Sequence, residues 1–207
     1  MAPALIRAAA MPMRVPVTIL EASWASLIGY WLIAALTAKR ASSSIPRATL
    51  WRFRLVGVII IIVLVRLSAI ARLHGYRFDY AYMPSALVAY IGAIMCVAGV
   101  AFAISARVYI GRNWGMPMSL REGHELVTTG PYAYVRHPIY SGILLALIGS
   151  GLALGPAQGL GSFVVFLVCL GGFSYAARIE ERDMTRQFPD AYPAYKQRTK
   201  MLIPYIF

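Results

Sequence analysis

Five apolar runs, at about 16–38, 55–73, 84–107, 139–155 and 160–177, leave this 207-residue chain few ways to fold. A helix needs about 20 mostly apolar residues to cross the hydrocarbon of a bilayer. Inside that medium every backbone N–H and C=O must be satisfied within the segment, which a helix achieves by itself. The runs therefore predict an all-α, polytopic integral membrane protein with about five transmembrane helices. The fourth and fifth are short and separated only by "GPAQG" (155–159), which predicts a tight helical hairpin. The composition agrees: 59% of residues are hydrophobic and 14% charged, less charge than a soluble domain usually carries. The first run is long for the apolar part of a signal peptide, and the strong basic cluster follows it rather than precedes it.

A net charge of +12 would suit nucleic acid, but its distribution argues against that partner. The Lys and Arg residues lie between the apolar runs, where topology signals lie. The linker 39–54 holds five, the linker 107–138 four and the tail after 177 six, all on one face of an alternating five-span arrangement. The other face holds Arg7, Arg14, Arg72 and Arg77. The positive-inside rule then puts the N-terminus outside, and the C-terminal helix with the polar segments 107–138 and 178–207 in the cytoplasm. The expected organisation is a single transmembrane domain over 1–207, with three spans in 1–106 and the chemistry in 107–207. Cys96 and Cys169 sit inside apolar runs, and His74, His124 and His137 are scattered without flanking Cys ligands, so no metal site is expected.

The stretch "GPYAYVRHPIYSG" (130–142) places Pro138 to open the fourth span, where its missing N–H costs nothing. Arg136 and His137 then stand just before a helix N-terminus, a position that favours anions. Gly130, Gly142, Gly149 and Gly151 keep the backbone open to close approach. A helix-end Arg also commonly snorkels to headgroups, and that reading of Arg136 stands beside the other. In the tail, Glu181, Met184 and Phe188 share a helical stripe, so a carboxylate lies on the face that should pack inward and needs a partner. Glu180, on a surface helix that accepts adjacent glutamates, reads first as a solvated residue. Pro189 and Pro193 break the helix, and Tyr192 and Tyr195 supply rings suited to an interface. In the first half, Glu21 and Arg66 fall at matching depths from the outer face, within reach of an ion pair if the first two spans are neighbours.

"LVTTGPYAYVRHPIYSG" (126–142) followed by "EE" (180–181), Phe188, "AYPAY" (191–195) and "IP" (203–204) resembles the isoprenylcysteine carboxyl methyltransferase family, with the phospholipid methyltransferases similar to it. The resemblance covers about 107–207. It implies a membrane enzyme that uses S-adenosylmethionine without a Rossmann domain, and no GxGxxG follows a strand pattern here. By the match of motifs the donor would be held by His124, Leu126, Val127, Gly130, Pro131, Tyr132, Arg136, His137, Pro138, Tyr140, Glu180 and Glu181, with Arg136 and Glu181 catalytic. The implied acceptor is a lipophilic small molecule or lipid-modified group drawn from the membrane lipid, an isoprenylcysteine-like carboxylate first. A phospholipid amine would need a base, for which His124 or Glu181 is placed. The chain departs from the family in carrying Phe188-Pro189 where Phe-Gly is usual, and Ile139 where relatives often have a small residue. The NADPH-dependent membrane sterol reductases share a similar "RH…Y.G" block and tail, but are longer and differ at the position of Pro138. A non-enzymatic scaffold would require only the spans.

Overall fold

The computed structural model describes residues 2–36, 41–42, 84–111, 120–121 and 126–206. Five α-helices lie among them: α1 (Ala2–Leu36), α2 (Ala86–Ile110), α3 (Pro138–Leu154), α4 (Pro156–Gln187) and α5 (Ala191–Arg198). Ala41–Ser42 pairs antiparallel with Leu120–Arg121 in a two-residue sheet, and a single parallel bridge joins Val135 to Lys200. The all-helical expectation holds. Among the described residues, three segments are long and apolar enough to cross a membrane, Val15–Ala34, Ala86–Ile110 and Ser162–Gln187. The apolar run at 55–73 lies outside the described residues, as does Arg66 with its suggested pairing to Glu21.

The centre of the molecule is the antiparallel contact of α2 with α3. A Cβ added at Gly92 would lie 2.5 Å from backbone atoms of Gly149 and Ala153, and one at Gly99 2.5 Å from those of Gly142 and Ala146. The glycines recur seven residues apart on both helices, the 3.5-residue repeat that keeps one seam facing its partner. Lipid tails are as apolar as leucine, so helices in a bilayer gain little from burying large aliphatic groups against each other. Small residues let the backbones approach and gain dispersion contacts instead. Ala89, Ala93, Cys96, Ala103 and Ala106 of α2 and Ala146 and Ala153 of α3 fill the seam and are buried. Helix α1 lies across this pair through Leu20 and Leu27. Its Trp24 Nε1 donates to Ser150 Oγ at 3.0 Å, and that hydroxyl donates to the Ala146 carbonyl at 2.8 Å.

The hairpin of α3 and α4 is tighter than "GPAQG" suggests. Gly155 alone connects the helices, at φ 75°, and Pro156 already stands in the first turn of α4. Proline fits that turn without losing a bond, and glycine takes the left-handed conformation at no steric cost, so the expected linker contracts to one residue. At 17 residues α3 is about 25 Å long, whereas the 32 residues of α4 span about 48 Å. Helix α4 therefore overshoots its partner. The rings of Tyr140 and Phe173, stacked 4.6 Å apart at 4°, fix the level at which the two helices meet. Glu180 and Glu181 follow two turns later, beyond the apolar part of the hairpin. The Phe188–Asp190 bend then turns the chain back into α5, with Phe188 N–H on the Met184 carbonyl and Tyr192 N–H on the Phe188 carbonyl.

Candidate active site

Three pieces of chain converge at the open end of the α3–α4 hairpin. One is the segment 126–137, which enters through the 3-10 turn Gly130–Ala133. Gly130 has φ 59°, and a side chain there would collide with the Tyr109 ring, whose hydroxyl shares a 2.7 Å hydrogen bond with Thr129. The turn is thus moored to the end of α2. The second piece is the last part of α4. The third is α5 with the tail behind it, which runs parallel to residues 135–137: Arg136 N–H donates to the Lys200 carbonyl at 2.8 Å, and His137 N–H to the Met201 carbonyl at 3.1 Å. Ser141 Oγ donates to the Leu202 carbonyl at 2.5 Å, and Leu202 is 1% exposed. Tyr195 Oη donates to the Tyr132 carbonyl at 2.6 Å. Burial pushes the Tyr195 phenol up to about 12, so it remains a neutral donor.

Charge is concentrated where these pieces meet. Arg136 Nε lies 2.7 Å from Glu181 Oε1, and Lys196 Nζ 2.8 Å from Glu181 Oε2. The Arg136 guanidinium also donates to the carbonyls of Lys196, at 3.3 Å, and Thr199. The carboxylate of Glu180 accepts from Tyr140 Oη at 2.7 Å and faces His137 Nδ1 at 3.3 Å. The His137 ring stacks on Tyr140, 5.5 Å away at 10°, so His137, Tyr140 and Phe173 form a slab of three near-parallel rings. Burial alone would lower the His137 pKa; the Glu180 contact at Nδ1 and the charge of Glu180 and Glu181 outweigh it and raise the pKa above its ordinary 6.5. Its Nε2 stands 3.6 Å from Glu181 Oε1, beyond hydrogen-bond reach, and is a buried nitrogen without a hydrogen-bond partner.

Arg136, His137, Tyr140, Glu180 and Glu181, five of the residues expected from the motifs, thus form one cluster. Tyr132 is buried against it through its carbonyl, and its hydroxyl points back to the Ala106 carbonyl at 3.4 Å. Pro138 is buried at the first position of α3, and Gly130 and Pro131 shape the moored turn. Leu126 and Val127 are half-buried in the extended approach to that turn. His124 lies outside the described residues. Sequence reasoning missed Lys196, Thr199 and Phe173. Phe173 is one apolar residue among many in its span, and Lys196 and Thr199 sit in a tail whose return to the hairpin leaves no local signal. An apolar groove of about 450 Å³, lined by Val88, Leu147, Ile148, Leu152, Phe163 and Phe166 among others, lies at the opposite end of α3 and does not touch the charged cluster.

The cluster thus brings two carboxylates, a slab of three rings and an imidazole together at one place. Residues 92–186 match the model of the isoprenylcysteine carboxyl methyltransferase (ICMT) family. The matched range takes in Arg136–Pro138 and Glu180–Glu181 and ends before Phe188, "AYPAY" and "IP"; the resemblance to the family holds. The chain is 30% identical over 132 residues to the protein-S-isoprenylcysteine O-methyltransferase of Schizosaccharomyces pombe, covering 59% of this chain and 55% of that protein. It is 30% identical over 121 residues to a probable protein-S-isoprenylcysteine O-methyltransferase of Oryza sativa subsp. indica, covering 58% and 62%. It is also 36% identical over 74 residues to methanethiol S-methyltransferase 1 of Bradyrhizobium diazoefficiens, covering 36% and 24%. The match to the first two relatives spans 55% and 62% of their length.

Proposed function

We propose that this chain is an integral membrane methyltransferase that uses S-adenosylmethionine and methylates the carboxylate of a lipophilic, isoprenylcysteine-like acceptor. The observation that carries this reading is the buried cluster of Arg136, His137, Tyr140, Glu180 and Glu181, built from both motif blocks of the matched range. Glu180 and Glu181 are the acceptors for the donor's ammonium and ribose hydroxyls. His137, whose pKa its two carboxylate neighbours raise against the effect of burial, turns Nε2 toward a polar atom of the ligand. When bound, S-adenosylmethionine supplies a methyl group on a sulfonium, which a carboxylate accepts without any proton transfer. The protein's contribution is accordingly orientation and exclusion of water. Val135 and Pro138, which flank Arg136 and His137 in the chain, are fully buried, as is Leu202.

The same reading sets the protein in the membrane with about five spans, one of them at 55–73, with the N-terminus outside and α5 and the tail in the cytoplasm. The charged end of the hairpin then meets a water-soluble donor from the cytosol while the acceptor arrives from the bilayer. The likeness to methanethiol S-methyltransferase 1 supports a second reading, a thiol acceptor, on the same donor site. Purified protein in detergent, given methyl-labelled S-adenosylmethionine with N-acetyl-S-farnesylcysteine, phosphatidylethanolamine or an alkanethiol, tests these readings. The expected product is a base-labile methyl ester of the farnesylcysteine. Label in the thioether alone establishes the second reading, and no methyl transfer to any acceptor, with NADPH oxidised when it is supplied in a parallel assay, overturns both.

A further inference from the structure

Glu181 is held by two cations of different kind. Arg136 is 7% exposed and is pinned by the Glu181 carboxylate and by the carbonyls of Lys196 and Thr199. Lys196 is 51% exposed, and only its ammonium reaches in, 2.8 Å from the second carboxylate oxygen. A lysine on a flexible four-carbon stem, half in water, leaves a carboxylate at little cost, whereas a forked guanidinium bound at several points does not. Helix α5 does not depend on this ion pair for its position, because Tyr195 Oη is bound to the Tyr132 carbonyl and Arg136 to two α5-side carbonyls. The contact from Lys196 therefore adds a charge to Glu181 at a place where the backbone is already fixed.

A primary ammonium carries a single positive charge and three N–H donors, and so does the ammonium of an amino-acid ligand. Exchanging one for the other on the same oxygen leaves the charge balance of the buried carboxylate unchanged, and no unpaired charge is created at any stage. We propose that Lys196 is an exchangeable counter-ion, which competes with the donor's α-ammonium for Oε2 of Glu181 and gives way to it on binding. This rests on the donor reading above. Lys196 occupies Oε2 of Glu181 before the donor enters, and its removal makes the site more receptive to the donor instead of less.

Calorimetric titration of the full chain in detergent, with S-adenosylhomocysteine and with methylthioadenosine, tests this. The first probe carries the ammonium and carboxylate; the second keeps adenosine and thioether and lacks both. Lys196→Met and Lys196→Gln are expected to bind S-adenosylhomocysteine about two- to five-fold more tightly, the range of a lost competing surface ion pair, and methylthioadenosine with unchanged affinity. Unchanged or weaker binding of S-adenosylhomocysteine by folded variants overturns the proposal. So does failure of both variants to fold, since that makes the lysine a fixed part of the scaffold. Failure of the unmodified protein to bind either probe overturns the donor reading itself, which keeps the two failures apart.

Discussion

At the scale of single residues, the buried pair of Arg136 and Glu181 decides most of what the site is. Their side chains are 7% and 3% exposed, so each depends on the other for its charge. Arg136→Ala leaves Glu181 with a half-solvated lysine and releases the carbonyls of Thr199 and Lys196 as well. A cost of about 3–5 kcal/mol is expected from stripping one partner of a buried pair, read as a lower denaturation midpoint in detergent together with loss of S-adenosylhomocysteine binding. Arg121→Ala, in the short pairing with Ala41, is expected to change neither by a comparable amount. Equal small losses for both variants would restore the snorkelling account of Arg136. His137 adds a pH dependence whose sign follows from its raised pKa. Its contribution to stability is fully present below the unfolded value near 6.5 and is lost as pH rises through the folded value. The melting temperature of the protein minus that of His137→Gln is expected to shrink between pH 6 and pH 9; a constant difference would show that the imidazole does not titrate in that window.

At the scale of elements, the seam between α2 and α3 and the latch made by α5 carry separate loads. Gly99→Ala places a methyl group 2.5 Å from the backbone of Gly142 and Ala146, where no side chain can rotate away. The helices must separate, and overpacking of this kind costs about 1–3 kcal/mol. Gly171 on α4 has nothing within 4 Å of an added Cβ, so Gly171→Ala is expected to be neutral or to stabilise by up to about 1 kcal/mol through helix propensity. Thermal unfolding of the two variants side by side checks this, and equal effects would refute the close crossing. For the latch, Tyr195→Phe removes the donor to the Tyr132 carbonyl and leaves a buried acceptor unpaired. About 1–3 kcal/mol is expected for such an orphaned group, visible as faster hydrogen exchange at Arg136 and His137, whose N–H groups bond the tail that α5 holds in place.

At the scale of the whole molecule, the excess of Lys and Arg in segments 39–54, 107–138 and after 177 sets the expected orientation. A reporter fused to the C-terminus is expected to read cytoplasmic, and one inserted at 74–82 external. An external reading at the C-terminus would place the Glu181 cluster on the wrong side for a cytosolic donor. Sequence by itself determined what depends on near neighbours along the chain. The apolar runs within the described residues become helices because each helix satisfies its own backbone. Pro138 opens a helix because proline lacks the N–H that the first turn leaves unused. The carboxylate on the Glu181 stripe was marked as needing a partner by its spacing from Met184 and Phe188. Only the tertiary structure decided which partner. Arg136 is 45 residues from Glu181 along the chain and 63 from Thr199, and the contact exists because α4 overshoots α3 and the bend at Phe188–Asp190 sends the tail back over the RHP segment. Lys196 reaches Glu181 for the same reason, and Gly99 faces Gly142 only because the two helices cross at their small residues. Periodicity and capping act over a few residues, so they carry no information about contacts that close only when distant helices pack.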